Sequence, residues 1–495
     1  MTKRLIPLFI LIYLLSSCAP APAALTSTPT ATVSPTRTPR PTQTLIPTAT
    51  PYPSLQTDGP YLLFTYDNNN FTIMDADGSG RKHFQLPNKG YVYDLKKSVS
   101  PDGKWIAYYT GTEEEPYDLV LNLLNLSDGM TNFISNLLTN GYPENLESVT
   151  ETIFFSEYDS ECASDLKCKL AIIRSAFTHG LWYSIDWSPD SKSLAFAAQI
   201  DGSSSDVYIF NTADSSIRRL TNEPENIWST DWSPDGKNIL YLNSIPGTIY
   251  TSLYLRIADP TTPRTQHPKQ IDGGLFWGSS GWIDNSKYLI WDGGEGAPPH
   301  NFRYLDFKTQ QVKGIWKYES DGFSFLRDLG GIVVIIYPNQ QDAVADSLEP
   351  GTYFVSMFGE ATKLSDKIFW AYSRQSLENL FFFSDAGHLY AMSPDGTILE
   401  PITNVTESID LNVSPNKNWF VLNKNNSQIE LYSKDLQLIK SWDAESYETI
   451  WRSDSLGFFI RGNPNLYYVS VLDKNFNFVE VCPADCLVGD YVWLP

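Results

Sequence analysis

One short pattern returns along this chain at steps of roughly 40 to 50 residues: an aromatic or apolar residue, then Ser-Pro-Asp-Gly or a relative of it, then an apolar run. The clearest copies are Trp187-Ser188-Pro189-Asp190-Ser191 before Leu194-Ala195-Phe196, and Trp232-Ser233-Pro234-Asp235-Gly236 before Ile239-Leu240-Tyr241. Ser100-Pro101-Asp102-Gly103 and Ser414-Pro415-Asn416-Lys417 repeat it, and eroded copies stand at Trp282-Ile283-Asp284-Asn285-Ser286 and Trp451-Arg452-Ser453-Asp454-Ser455. The chemistry is that of a tight hairpin. Proline pre-sets φ, Asp or Asn bonds its own backbone, and Gly accepts the positive φ where the chain reverses. Alternating residues after the turn suit a strand with one face in a core.

Two further strand-like runs follow each hairpin, best seen at Asp206 to Phe210 and at Ile217 to Thr221. With the strand before the turn, this makes four strands per unit. From Ser188 the anchors step by 45 to Ser233 and by 50 to Ile283, then through weaker positions near Arg327 and Ser373 to Ser414 and Arg452. A four-stranded unit at this period is a propeller blade. The chain is therefore expected to be all-β, a single β-propeller. Nine candidate second strands start near Tyr61, Lys104, Lys192, Lys237, Lys287, Ile332, Leu380, Lys417 and Leu456. Eight blades are expected, with seven to nine compatible, on the view that a degenerate unit can fail to form a blade. The last run, Tyr491-Val492-Trp493-Leu494, is expected to pair with the first strands near Tyr61 and so remove an open edge. Between Gly141 and Gly180 apolar residues fall at helical spacing (Leu146, Val149, Ile153; Leu166, Leu170, Ile173, Phe177), which predicts a helical insertion, with a further degenerate blade as the competing reading.

These repeats resemble those of the TolB-like propeller family. The similarity extends to Ile73-Met74-Asp75-Ala76-Asp77-Gly78-Ser79-Gly80, and it runs over nearly all of residues 59 to 495, strongly before Ile283 and faintly after it. It implies a fold and says little about function.

The N-terminus sets the compartment. Lys3 and Arg4 precede an apolar run from Leu5 to Leu15, a signal-peptide pattern too short to span a bilayer. The run ends in Leu15-Ser16-Ser17-Cys18, which resembles the lipobox of bacterial lipoproteins and implies a diacylglyceryl thioether, with palmitate-type chains, on Cys18. An ordinary secretory peptide with an incidental cysteine is the alternative, and either reading exports the chain. Two or three acyl chains, at about 0.8 kcal/mol per buried methylene, hold a protein on a membrane stably. From Ala19 to Thr57 there are 11 Thr and 9 Pro in 39 positions and no acid. Such a stretch builds no core and reaches at most about 3.1 Å per residue as polyproline II, on the order of 120 Å in all. The expected organisation is a leader at 1–17, the lipidated Cys18 with a Thr/Pro stalk at 18–57, and the propeller at 58–495, on the extracytoplasmic side of a membrane.

All 57 acidic residues lie beyond residue 57, against 32 basic ones once the four of the leader and stalk are removed from 36, so the folded part carries a formal charge of −25. That field repels nucleic acid and anionic lipid, so neither is an expected partner, and attachment to a membrane is expected through the lipid alone. Cys162, Cys168, Cys482 and Cys486 remain after Cys18. An even number in an exported chain reads as disulfides, with two local loops the simplest of three connectivities and a four-cysteine zinc site the sharper alternative.

The search for chemistry finds little. The five histidines, His83, His179, His267, His300 and His388, form no metal-ligand spacing, and Gly278-Ser279-Ser280-Gly281 is too short for a nucleophile elbow. Asp75-Ala76-Asp77-Gly78 begins like a calcium loop, but its twelfth position is Leu86, so a hairpin turn is expected. No cofactor, metal or catalytic residue is assigned. The candidates for a ligand site lie on the strand before each turn, which lines the channel of a propeller. Asp186 and Asp231 stand two residues before the turn serine, and Asp410 lies nearby in its own unit. Carboxylates there can bind a ligand, act as acid and base, or cap backbone groups. The expected function is a monomeric, non-enzymatic binding or scaffold protein for a protein, peptide or glycan. The alternatives are a polysaccharide-active lyase or hydrolase using the channel, and TolB's own role beside the peptidoglycan-associated lipoprotein, which the stalk and lipobox disfavour.

Overall fold

The structure, a computed structural model, describes residues 59–495 except 66–68, 113–117, 140–167, 169–179, 183, 203, 223, 245–252, 263–268, 276–280, 295–296, 321–323, 341, 344–345, 370–371, 386, 400, 406–409, 425–426, 445, 447, 463–464 and 483–488. The leader, Cys18, the Thr/Pro stretch, Cys162, Cys486 and all of the expected insertion at 141–180 except Cys168 and Gly180 lie outside the described residues.

Among the described residues the strands form nine antiparallel sheets, eight of four strands and one of three, arranged as a β-propeller. The second strands of the blades are Tyr61–Thr65, Trp105–Thr112, Ser193–Ala198, Ile239–Ser244, Lys287–Gly294, Gly331–Ile336, Leu380–Asp385, Trp419–Lys424 and Gly457–Arg461. Each falls at one of the nine positions expected from the sequence. The number is thus nine, at the top of the expected range and one above the eight favoured. A degenerate unit still forms a blade here, because an apolar second strand is what a blade needs. In the sixth blade Arg327-Asp328-Leu329-Gly330 replaces Ser-Pro-Asp-Gly, yet all six residues of Gly331–Ile336 are buried and Gly330 takes the left-handed conformation at φ 61°.

The expected alternation of these strands also gives way. Ser193–Ala198 is buried at every residue after the first, and Tyr61–Thr65 throughout. Blades stack face to face, so a central strand has a core on both sides and reads as a continuous apolar run. At the rim Leu438–Asp443 is exposed at five of six positions.

The turns are built as their composition predicts. Ser188 Oγ donates to Asp190 Oδ1 at 2.8 Å and accepts the backbone N–H of Ser193 at 2.9 Å, while Asp190 Oδ1 accepts the N–H of Lys192 at 3.2 Å. The same lattice recurs at Ser100/Asp102, Ser233/Asp235 and Ser414/Asn416. Antiparallel pairing puts the turn after the first strand and the turn after the third on one face of the ring. Asp75-Ala76-Asp77-Gly78 is such a third turn, closed by Gly78 N–H to the Asp75 carbonyl at 2.9 Å. So is Ser393-Pro394-Asp395-Gly396, a further copy of the motif, which follows the third strand of its blade.

The second blade departs from the others. Its inner position is taken by a segment that bridges Tyr91 to Tyr109 and Val99 to Ile106, with a short helix, Leu95–Ser98, between the two bridges. Asp94 caps that helix by accepting the N–H of Lys97 at 3.1 Å.

Ring closure follows expectation in its partners. Tyr491–Leu494 pairs antiparallel with Tyr61–Thr65, Leu494 opposite Tyr61 and Tyr491 opposite Phe64. The last strand of the chain thereby becomes the innermost strand of the first blade, in the order Lys82–Gln85, Asn70–Asp75, Tyr61–Thr65, Tyr491–Leu494. Deleting Tyr491 to Pro495 bares one edge of Tyr61–Thr65 and one face of the core around Leu62, Ile450 and Phe459. The expected result is concentration-dependent self-association by light scattering at matched conditions, together with a lowered thermal midpoint, while the intact chain shows neither.

Candidate functional site on the channel wall

The inner strands that carry the sequence candidates are Asp186–Trp187, Ile227–Trp232 and Asp410–Val413. The first two belong to neighbouring blades, three and four, and bring Asp186 and Asp231 together. Asp410 belongs to the eighth blade and is not part of that pair. Its offset from the turn differs: it stands four residues before Ser414, and Asn412 occupies the place that Asp186 and Asp231 occupy in their blades.

Asp186 and Asp231 are half-buried. Asp186 Oδ2 accepts the backbone N–H of Trp232 at 2.5 Å, across the blade boundary. Asp231 Oδ2 accepts the phenol O–H of Tyr288, from the fifth blade, at 3.0 Å. Enclosure by protein, reinforced by the charge of Asp231, pushes the Asp186 carboxyl up to about 7, against the opposing pull of Lys97. Enclosure raises Asp231 as well, again opposed by Lys97 and by the Tyr288 hydrogen bond.

Lys97 was not singled out by the sequence. It comes from the short helix of blade two, and its ammonium donates to the carbonyl of Thr230, in blade four, at 3.3 Å. The side chain therefore crosses the inner edge of blade three. Trp187 fastens the same helix from the other direction, its indole N–H donating to the Ser98 carbonyl at 3.1 Å. On the other side of the helix Lys96 lies 5.4 Å from the ring centre of Tyr491. The signal that could have found these lysines is Asp94-Leu95-Lys96-Lys97-Ser98, a capped turn of helix where an inner strand was due.

Asp410 has a separate neighbourhood. Burial raises its carboxyl, and Asn423 donates to Oδ2 at 3.1 Å and Asn412 to Oδ1 at 3.2 Å. Glu448, in the next blade, is raised by burial and opposed by Arg461, whose guanidinium lies 3.4 Å away. A third charged group crosses blades six to eight, where Lys417 Nζ reaches Asp328 at 2.5 Å and the Ser376 carbonyl at 3.1 Å.

The two halves of the wall use the same bonds with different chemistry. Gln375 Oε1 accepts the N–H of Val413 at 2.6 Å, as Asp186 accepts that of Trp232. Trp451 donates its indole N–H to the Asn412 carbonyl at 3.0 Å, as Trp187 does to Ser98. A neutral amide thus performs in blade seven what a carboxyl performs in blade three. Among the described residues no group of three or more His, Cys, Asp or Glu is placed to hold a metal ion. His83 bonds Thr72 at 2.7 Å on the outer strands, and Cys482 is buried beside Arg81.

Because folding raises the Asp186 carboxyl, the native state binds more protons than the unfolded chain between about pH 4 and pH 7. The stability linked to this group is complete below pH 4 and is lost as pH rises through about 7. Asp186→Asn keeps an acceptor for the Trp232 N–H and removes the charge. Urea unfolding is expected to show the variant more stable than the parent at pH 8, by about 1–2 kcal/mol, and equal to it at pH 4. Asp186→Ala, which leaves that N–H without its acceptor, is expected to be less stable at both.

Neither a family model nor a curated protein matches this sequence. Solved structures do resemble it. A crystal structure of a eukaryotic initiation factor aligns with 88% of this chain and 98% of its own at 11% identity and a TM-score of 0.49. TolB from Acinetobacter baumannii aligns with 68% of this chain and 62% of its own at 17% identity and a TM-score of 0.30. The dihydro-heme d1 dehydrogenase NirN aligns with 89% and 77% at 9% identity and a TM-score of 0.43. The fold itself rests on the chain's own sheet topology, which among the described residues is that of a β-propeller of nine blades.

Proposed function

We propose that this protein is a non-enzymatic binding or scaffold protein, a TolB-like propeller exported and held at the extracytoplasmic face of a membrane by lipid on Cys18. The observation that carries the non-enzymatic part is the use made of the channel carboxyls. Asp186 is engaged with the Trp232 backbone and Asp231 with Tyr288, and a neutral glutamine replaces the former in blade seven. Asp186 and Gln375 each tie two adjoining inner strands, and Asp231 ties an inner strand to the second strand of the next blade, which is work for a wall. The export and anchoring part rests on Lys3, Arg4, the apolar run and Leu15-Ser16-Ser17-Cys18, followed by a stretch rich in Thr and Pro that spaces the ring from its anchor. Two local disulfides, Cys162 with Cys168 and Cys482 with Cys486, belong to the same reading of an oxidising compartment. The polysaccharide-active alternative would employ Asp186 and Asp231 as acid and base, with Asp186 supplying the proton near neutral pH.

Two measurements decide between these readings. The parent is expected to sediment with membranes and Cys18→Ser to appear in the soluble extracytoplasmic fraction; a variant that still sediments would refute the anchor. The double variant Asp186→Asn/Asp231→Asn is expected to leave cross-linking to envelope partners unchanged. Turnover of any envelope polysaccharide by the parent, lost in the double variant, would make the protein an enzyme.

A further inference from the structure

The fourth residue of each Ser-Pro-Asp-Gly-type turn governs the cleft to the preceding blade. In six turns that join an inner to a second strand this residue is left-handed: Gly103 (φ 69°), Ser191 (60°), Gly236 (69°), Gly330 (61°), Lys417 (59°) and Ser455 (62°). Ser191 Oγ accepts the N–H of Asp102 in the blade before it at 2.9 Å, and Ser455 Oγ accepts that of Asn416 at 3.0 Å. Lys417 reaches back to Asp328 and Ser376. At Gly103 the space is already occupied, since an added Cβ would meet Pro495 Cδ at 3.0 Å and Leu494 Cβ at 3.1 Å. Gly236 differs from Gly103 and from the three positions that carry side chains: among the described residues the one atom within 4 Å of its Cβ position is Pro189 Cδ, at 3.7 Å, an ordinary contact, and at Gly330 there is none.

The gap that remains is a cleft of about 720 Å³ between blades three and four, on the face that bears the turns. Pro189 and Asp190 form one side near the channel, Pro234 and Asp235 the other, with Ile209 and Ile217 along the wall. At the rim Arg218 bridges the two blades by donating to the carbonyls of Pro260 and Thr262, the latter at 3.2 Å, so the cleft is bounded at its outer end.

We propose that this cleft binds an extended peptide segment bearing arginine or lysine, which gives the binding reading above its ligand class and rests on it. Proline and isoleucine walls suit an extended backbone; the Ser216 and Thr261 hydroxyls, which donate to Asp214 and Asp259, face it as acceptors for N–H groups, and the Asn211 amide, whose oxygen accepts the Ala213 N–H, has its NH2 for a C=O group. Asp190 and Asp235 supply the charge. Burial works against their ionisation, but the Ser188 and Ser233 hydroxyls, the backbone N–H groups of Lys192 and Lys237 and the ammonium groups of the same lysines hold both carboxyls below the usual range. Those ammonium groups sit 3.4 and 3.5 Å away on side chains three-quarters exposed, and such surface pairs contribute little. A guanidinium offers two parallel bonds in their place. The formal charge of −25 on the folded part favours the same sign of ligand. A glycan is the poorer fit, because Trp232, the aromatic side chain of the cleft, is only 7% exposed and presents no open ring for stacking.

Gly236→Ser tests this. Serine takes the same left-handed conformation at 191 and 455, so the variant is expected to fold, with its hydroxyl accepting the Asp190 N–H and closing the cleft. The probe is a fluorescent Ala-Pro-Arg-Pro-Ala peptide, titrated by anisotropy against the full-length detergent-solubilised protein, beside the same peptide with Glu in place of Arg. The parent is expected to bind the Arg peptide at least tenfold more tightly than the Glu peptide, and Gly236→Ser to lose at least tenfold. Gly330→Ser, at another left-handed glycine with nothing within 4 Å of its Cβ position, is expected to bind as the parent does. No saturable binding of the Arg peptide, equal binding of the two peptides, an undiminished Gly236→Ser, or an equal loss in Gly330→Ser would each overturn the proposal. Membrane sedimentation and envelope cross-linking of Gly236→Ser report on the broader binding reading, so that the cleft can fail while the reading stands.

Discussion

Everything in this fold depends on burying the second strand of each blade on both faces. Leu62 and Leu63 at the start of the ring, Leu194 to Ala198 in blade three and Ile332 to Ile336 in blade six are all fully enclosed. A single four-stranded sheet has nothing to cover two apolar faces, and burial of one such side chain is worth roughly 1.5–3 kcal/mol, so blades are stable only as neighbours. A row of them would leave two bare faces. A ring leaves none, which is why the pairing of Tyr491–Leu494 with Tyr61–Thr65 matters beyond its own hydrogen bonds. The first and last of the described strands share one blade, and every other blade is held between neighbours that the closure keeps in place.

The wall of the channel follows from that constraint. Inner strands are short, two residues in blade three and four in blades five, eight and nine, and their backbone groups face the next blade as much as their own sheet. Side chains make up the difference. Asp186, Gln375, Trp187 and Trp451 each bond a backbone group of an adjoining inner segment, and Lys97 reaches past one blade to the second. Enclosed carboxyls with raised proton affinity are a signature shared by active sites and by structural networks. In blade seven a neutral amide, Gln375, makes the corresponding bond to the Val413 N–H.

The turns carry a second level of order. The Ser-Pro-Asp-Gly motif was read as a hairpin device, and it is one, but its last residue also faces the preceding blade. Serine and lysine there tie blades together, and glycine there either makes room for the closing strand, as at Gly103, or leaves the cleft beside Gly236. Residues that look interchangeable within a turn therefore differ in what they do between blades.

Much was legible in the sequence because blade structure is local. Turn composition, the apolar runs after each turn and the starts of all nine second strands depend on residues within a few positions of one another. The expectation of an export signal and of an anchor at Cys18 is local in the same way, resting on Lys3, Arg4 and the run that ends at Cys18. What the sequence left open depends on which blades adjoin. It placed Asp186 and Asp231 at equivalent offsets with Asp410 nearby in its own unit, and only the ring shows that the first two meet while the third lies five and four blades further on. Lys97, Tyr288 and Gln375 carried no local signal for their roles, since each acts on a strand of a different blade. Nor could the number of blades be settled by counting motifs. An eroded turn still supports a sheet when its neighbours bury the strand that follows, and that burial exists only once the ring has closed.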